Sequence, residues 1–292
     1  MLRTTLLAST LALSFNVAQA QDSVKAPLQL KVYNADATSF HVNSVLISGE
    51  KEAVLIDSGF TRADALRIGA NVLDSGKQLT TILISQADPD YYYFGVEVLK
   101  NMFPQAQVVA TPAVLAKISS KLAGKVAFWG PKMGANAPKN PVLPQPLQGN
   151  TLMLEGETIE IRGNTGILAH RPYVWIPSIK TIAGNIGVFG GLHVWTADTQ
   201  TAAERSAWQA QLNEMAALQA VTVIPGHMQA GSLLDASQIK YTQQYLQRFE
   251  TNAASAKNSG ELIRSMQSAY PQAGMGMALE IGAKVNQGEM KW

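Results

Sequence analysis

From Leu28 the chain alternates apolar and polar side chains, which predicts a strand over Leu28–Tyr33, a second over Val42–Ser48 and a third over Glu52–Asp57. Gly49-Glu50-Lys51 supplies the turn between the last two. The period then lengthens to that of a helix over Arg62–Leu73 and shortens again over Ile82–Ser85, an apolar, β-branched run of the kind buried in a sheet. Gln107–Ala110 predicts another strand and Pro112–Leu122 another helix. This β-α-β-α rhythm predicts a sheet with helices packed on it. Trp129–Pro146 has no period and is rich in Pro, Gly and Asn, which predicts a long loop, a wall over a binding pocket, carrying Phe128, Trp129 and Met133 at its start.

The second half repeats the rhythm. Leu152–Leu154 and Thr158–Arg162 predict a hairpin turned at Glu155-Gly156-Glu157, and Tyr173–Pro177 with Thr181–Ala183 predict another pair. Thr201–Leu218 predicts a helix with Glu204 in its first turn, Val221–Ile224 a last strand, and Asp235–Phe249 and Glu261–Tyr270 closing helices.

Chemistry concentrates where Ile82–Ser85 ends. Ala87-Asp88-Pro89-Asp90 breaks the strand, because Pro89 has no N–H for a ladder and pushes Asp88 out of the helical region. From Tyr92 the residues Phe94, Val96, Val98, Leu99 and Met102 take helical spacing. Two carboxylates, Asp88 and Asp90, thus stand where a strand hands over to a helix, a place that carries function in α/β proteins; their other use is to cap that helix.

The stretch Gln86-Ala87-Asp88-Pro89-Asp90-Tyr91 between a strand and a helix resembles the H-x-H-x-D-H signature of the metallo-β-lactamase fold superfamily. Asp57-Ser58-Gly59 and Pro225-Gly226-His227 match two further motifs in the right order. The resemblance covers roughly Val42 to His227. It implies one α/β domain over residues 21–292, an αβ/βα four-layer sandwich of two mixed sheets between helices, with C-terminal helices from about residue 233. It implies a site at which Gln86, Asp88 and Tyr91 stand in ligand-His positions and only Asp90 matches. Asn164 stands where another ligand His would be, with His170 as a second candidate for that place. Asn185 replaces the metal-bridging Asp, His227 is the final His ligand, and Asp57 supports the site from behind, its other reading being a helix cap near Thr61.

The surviving ligand candidates are Asp88, Asp90, His170, Asn185 and His227. This oxygen-rich set suits one divalent Zn, Mn or Fe ion, or none, rather than a zinc pair. The chain has four His and no Cys, too few for the family's usual two-zinc site. With a metal, the implied chemistry is hydrolysis of an ester, amide or lactam, with Asp90 orienting or deprotonating a metal-bound water. Without one, the implied protein is a catalytically inactive pseudoenzyme that binds a small molecule or a partner protein. His→Gln, His→Tyr and Asp→Asn replacements favour that alternative, since they keep hydrogen bonding and discard charge. His193 is expected to be structural or pocket-lining, and His41 exposed.

Composition narrows the setting. Charged residues make up 15% and hydrophobic residues 47% of 292 residues, enough for a large core. Arg3, the apolar run Leu6–Val17 and Ala18-Gln19-Ala20 predict a signal peptide over residues 1–20, cleaved after Ala20, hence a periplasmic or secreted protein. The net charge of +2 and the absence of basic runs argue against nucleic acid as a partner, and no later stretch predicts a membrane span; a small-molecule substrate or ligand is what the resemblance implies.

Overall fold

The computed structural model describes residues 26–88 and 92–292. The predicted leader over residues 1–20, and Asp90 and Tyr91 among the candidate site residues, lie outside the described residues.

The first sheet holds β1 (Gln29–Asn34), β2 (Asn43–Ser48), β3 (Glu52–Ile56), β4 (Gln78–Leu83), β5 (Gln107–Ala110) and β6 (Gln145–Pro146), in that spatial order. β1, β2 and β3 pair antiparallel, and β3 to β6 pair parallel. Parallel neighbours need a crossover. Three helices supply it: α1 (Arg62–Ser75) after β3, α2 (Val96–Met102) after β4 and α3 (Pro112–Met133) after β5. Thr61 and Asp64 form a reciprocal cap at the start of α1, so that end is set locally and leaves Asp57 out of capping.

The second half supplies β7 (Thr151–Leu154), β8 (Glu157–Arg162), β9 (Tyr173–Ile176), β10 (Thr181–Ala183), β11 (Phe189–Gly190), α4 (Ala202–Ala217), β12 (Thr222–Val223), β13 (His227–Met228), α5 (Ser237–Ser255), α6 (Ser259–Ala269) and α7 (Gly276–Asn286). The second sheet runs β12-β10-β9-β8-β7, and β11 and β13 form a short parallel pair. Both larger sheets are mixed, since β10 pairs parallel with β12 and antiparallel with β9.

Strand alternation sorts side chains into layers. In β3, Val54 and Ile56 join Val174, Ile176 and Ile161 of the other sheet in an apolar layer between the sheets, while Ala53 and Leu55 face α1 and α2. In β9, Val174 and Ile176 face the first sheet, and Tyr173 and Trp175 face the helices of the second half. The result is the predicted four-layer sandwich of helices, sheet, sheet and helices.

The two-residue strands β6, β11 and β13 are absent from the sequence pattern, and two helices depart from it. α3 runs on to Met133 with Pro131 inside it, where the pattern predicts a loop from Trp129. Trp129 packs edge-on against Phe60 and Phe40, with ring centroids 5.1 and 5.7 Å apart. That contact holds the last turns helical although Pro131 removes a ladder bond. The pattern does not predict α7, because Gly276 and Gly282 lower its propensity; burial of Ala278, Leu279 and Ala283 decides it instead.

Candidate functional site

The loops that follow β3, β4, β8, β10 and β12 converge at one end of the sheets. Two close backbone approaches bring them together. A side chain on Gly95 would sit 1.9 Å from the Ser58 carbonyl oxygen, and one on Gly226 would sit 1.9 Å from the Asn185 carbonyl oxygen, so only glycine fits at either place.

Asp57 follows β3 directly, in the left-handed region at φ 64°. Its carboxylate is 1% exposed and accepts from the Ser85 backbone N–H at 2.8 Å and the Ser85 hydroxyl at 2.6 Å. Burial pushes its carboxyl up to about 7, against the lowering effect of those two bonds. Asp57 therefore fixes the loop after β4 one residue before Gln86.

Gln86 is fully buried. Its amide N–H₂ donates to the Pro172 carbonyl at 2.9 Å, the Gly184 carbonyl at 3.1 Å and Ser85 Oγ at 3.2 Å, tying three loops together. Its Oε1 is buried without a hydrogen-bond partner. Asn185 is equally committed. Nδ2 donates to the Ile224 carbonyl at 2.9 Å, and Oδ1 accepts from the Val188 N–H at 2.8 Å.

His227 begins β13 and is buried. Nδ1 lies 2.7 Å from the Phe40 carbonyl, which can only accept, so Nδ1 carries the proton and Nε2 accepts from the Tyr92 hydroxyl at 3.1 Å. Phe189 stacks on the ring with centroids 5.2 Å apart. Burial holds this imidazole down at about 4, so it is neutral at pH 7.

Three of the expected positions, Gln86, Asp88 and His170, line one cavity of about 30 Å³, together with Lys117, Lys121, Arg171, Ile186 and Asp198. His170 is half-buried and held down at about 4 by burial and the neighbouring Arg171 charge. Asn164 stands half-buried on the loop after β8, and Asn164, Asn185 and His227 are not among the lining residues. Arg171 is 6% exposed, with its guanidinium 4.7 Å over the Trp208 ring. Both terminal nitrogens, Nη1 and Nη2, are buried without a hydrogen-bond partner. Burial lowers its pKa from the ordinary value, while the charges of Asp88 and Asp198 oppose that shift.

A wider groove of about 720 Å³ shares Lys117, Lys121 and Asp198 with the cavity and extends to Lys125, Glu204 and Trp292. The earlier turns of α3 form its wall, in place of the predicted loop. Asp198 accepts from the Trp195 indole at 2.6 Å and the Trp292 indole at 3.0 Å, and lies 3.8 Å from the Lys121 ammonium.

As arranged, the described residues do not fit a metal ion. Both His227 nitrogens and both ends of the Asn185 amide are engaged within the protein, and a buried guanidinium with two lysines lines the cavity that a cation would share. Among the described residues, no three His, Asp or Glu side chains come together in a metal-holding group. His193, buried and bonded through Nδ1 to the Tyr245 hydroxyl at 3.0 Å, lies in the core of the helical layer. His41 is half-buried rather than exposed, because its backbone carbonyl accepts from the Met228 N–H and draws it against β13.

Sequence reasoning missed Arg171 and Tyr92. Arg171 leaves one faint trace, a charged residue two positions before the wholly apolar strand Tyr173–Ile176. Tyr92 is masked by its place in a run of aromatic residues.

No family model matches the sequence, and no curated protein does. Among solved structures, a metallo-beta-lactamase family protein from Thermus thermophilus superposes with a TM-score of 0.63 at 16% identity, over 90% of this chain and 92% of its own. The DIM-1 metallo-beta-lactamase superposes with a TM-score of 0.51 at 18% identity, over 77% of this chain and 95% of its own. At such identities the likeness speaks for the architecture alone, and with the layer order and sheet topology it leaves one conclusion: the chain has the metallo-β-lactamase fold.

Proposed function

We propose that this protein is a metal-independent binding module built on a hydrolase-like fold, a pseudoenzyme whose site receives a small molecule and activates no water. The observation that carries this reading is the Phe40–His227–Tyr92 chain, in which the imidazole at the one ligand-His position kept from the family pattern spends both nitrogens inside the protein. Asn185, at the bridging position, likewise has both amide ends in use. A neutral, doubly bonded imidazole has no lone pair to offer an ion without losing the tyrosine bond.

In this reading Gln86, Asp88 and His170 line a ligand pocket, Asp57 fixes the Gln86 loop, and Asn185 and His227 hold loops in place. The leader over residues 1–20 directs export, so the binding role is exercised in the periplasm or outside the cell. No helix among the described residues is long and apolar enough to cross a membrane. The competing reading is a single-metal hydrolase with Asp90 as the catalytic carboxylate.

Elemental mass spectrometry on protein purified from the periplasm without chelator tests the choice. The expected result is no stoichiometric transition metal, and no rise in melting temperature when Zn²⁺ or Mn²⁺ is added, since an ion that bound only the native state would stabilise it. About one equivalent of metal, lost in His227→Ala, would overturn the proposal in favour of the hydrolase.

A further inference from the structure

Arg171 is the most conspicuous group that the fold leaves unexplained. Burying a charge without partners is costly, and native proteins pair or hydrogen-bond such groups. Arg205, another largely buried arginine, follows that rule: Nε and Nη2 donate to Glu250, and Nη1 to the Thr199 and Gln200 carbonyls and to Asn286 Oδ1. Arg171 has no such partners for Nη1 and Nη2. It lines a cavity of about 30 Å³, too small for a whole substrate but large enough for a few non-hydrogen atoms or a water.

The second observation is chemical. Gln86 lines the same cavity, and its Oε1 is also buried without a partner. Two lining side chains therefore hold two donor nitrogens and one acceptor oxygen without hydrogen-bond partners. The third observation is charge. Among the described lining residues, Arg171, Lys117 and Lys121 stand against Asp88 and Asp198, a sum of one positive charge when His170 is neutral. One monoanion balances that set, whereas a phosphate dianion would add an excess negative charge beside two aspartates. The planar fork of a guanidinium also matches the two oxygens of a carboxylate.

Resting on the metal-free binding reading, we infer that Arg171 and Gln86 form the recognition site for a small monocarboxylate carrying an N–H or O–H donor beside its carboxylate, such as an α-hydroxy acid or an N-acyl amino acid. The carboxylate enters the cavity against Nη1 and Nη2. The neighbouring donor gives its hydrogen to Gln86 Oε1. The rest of the ligand lies in the adjoining groove beside Lys121, Lys125 and the exposed Trp292 ring. The cation that the fold's relatives in catalysis would place near these loops is replaced by a fixed cationic side chain, and the site takes an anion.

Isothermal titration of the full mature chain, treated with EDTA and held at constant ionic strength with sodium chloride, tests this with glycolate, N-acetylglycine, acetate and inorganic phosphate. Glycolate and N-acetylglycine are expected to bind one to one and more tightly than acetate, which lacks the donor, and than phosphate. Arg171→Met is expected to weaken both by at least about tenfold with the far-ultraviolet circular dichroism unchanged. If Arg171→Met does not fold, Arg171→Lys keeps the charge, loses the fork and is expected to weaken both by about fivefold or more. Unchanged affinity in a folded Arg171 variant, tighter binding of phosphate, acetate binding as tightly as glycolate, or no binding of either acid would overturn the inference while leaving the metal-free reading in place. Carboxylate binding that appears only after Zn²⁺ is added would instead overturn the metal-free reading.

Discussion

Arg171 and Arg205 are chemically identical, and the fold treats them in opposite ways. Arg205 stands in the first turns of α4 and clamps that helix to Glu250 on α5 and Asn286 on α7, with every guanidinium nitrogen engaged. Arg171 ends the loop between β8 and β9, lies over the Trp208 ring, and keeps two buried nitrogens unbonded where five loops meet. The first is a structural fastener between helices. The second is a charge held ready in a cavity, and the difference teaches that a buried cation's role is read from its partners rather than from its depth.

The two imidazoles repeat the lesson. His227 stands at the family's ligand position, and His193 lies in the helical core, yet each is buried and bonded to a tyrosine hydroxyl, at 3.1 and 3.0 Å. Burial lowers the pKa of both. What distinguishes His227 from an ordinary core histidine is its position in the sequence pattern, and its chemistry in the fold is that of a neutral crosslink.

The comparison can be broken most severely at Trp208, the platform under Arg171. Trp208→Ala removes a fully buried indole and its bond to the Gly187 carbonyl, and is expected to cost about 3–5 kcal/mol in urea unfolding. A loss of under about 1 kcal/mol would mean that the guanidinium is seated by something else.

The His227 crosslink gives the next largest effect, and its sign is fixed. The folded pKa of about 4 lies below the unfolded value of 6.5, so its stabilisation is complete above 6.5 and is lost as pH falls through that window. Relative to His227→Gln, the wild type is expected to lose roughly 3 kcal/mol between pH 6.5 and 4, measured by urea unfolding at each pH. Asp57 and His170 also titrate across this range but are present in both proteins and cancel in the difference. A pH-independent difference would show that the folded imidazole takes up its proton as readily as the unfolded one, and a wild type that gains stability as pH falls would show that it is charged when folded.

The arginines themselves sharpen the contrast. Arg205→Met is expected to destabilise by about 2 kcal/mol, since it strips charged hydrogen bonds from a half-exposed Glu250 and from two carbonyls. Arg171→Met, without ligand, is expected to stay within about 1 kcal/mol of wild type or to rise, because it removes a buried charge whose terminal nitrogens the protein leaves without hydrogen bonds. Equal losses in the two variants would erase the distinction between fastener and ligand group.

Local sequence determined most of the architecture. Alternating or continuous apolar runs placed β1 to β3, β5 and β7 to β10, and Thr61-x-x-Asp64 and Thr201-x-x-Glu204 fixed the starts of α1 and α4, because capping and strand patterning act between residues a few positions apart. The ordered motifs around Asp57, Asp88 and His227 carried the fold superfamily. Tertiary contact decided what local pattern contradicts: the Pro131 turns of α3, held by Trp129 on Phe40 and Phe60, and the glycine-bearing α7, held by burial. It also decided the chemistry of the site. Whether His227 is a ligand or a crosslink depends on Phe40 and Tyr92, which lie 187 and 135 residues away in sequence. Whether Arg171 is fastened or exposed to a cavity depends on side chains from α3 and the loops after β4 and β11. Hydrogen-bond partners at such separations are set by packing, and no local pattern encodes them.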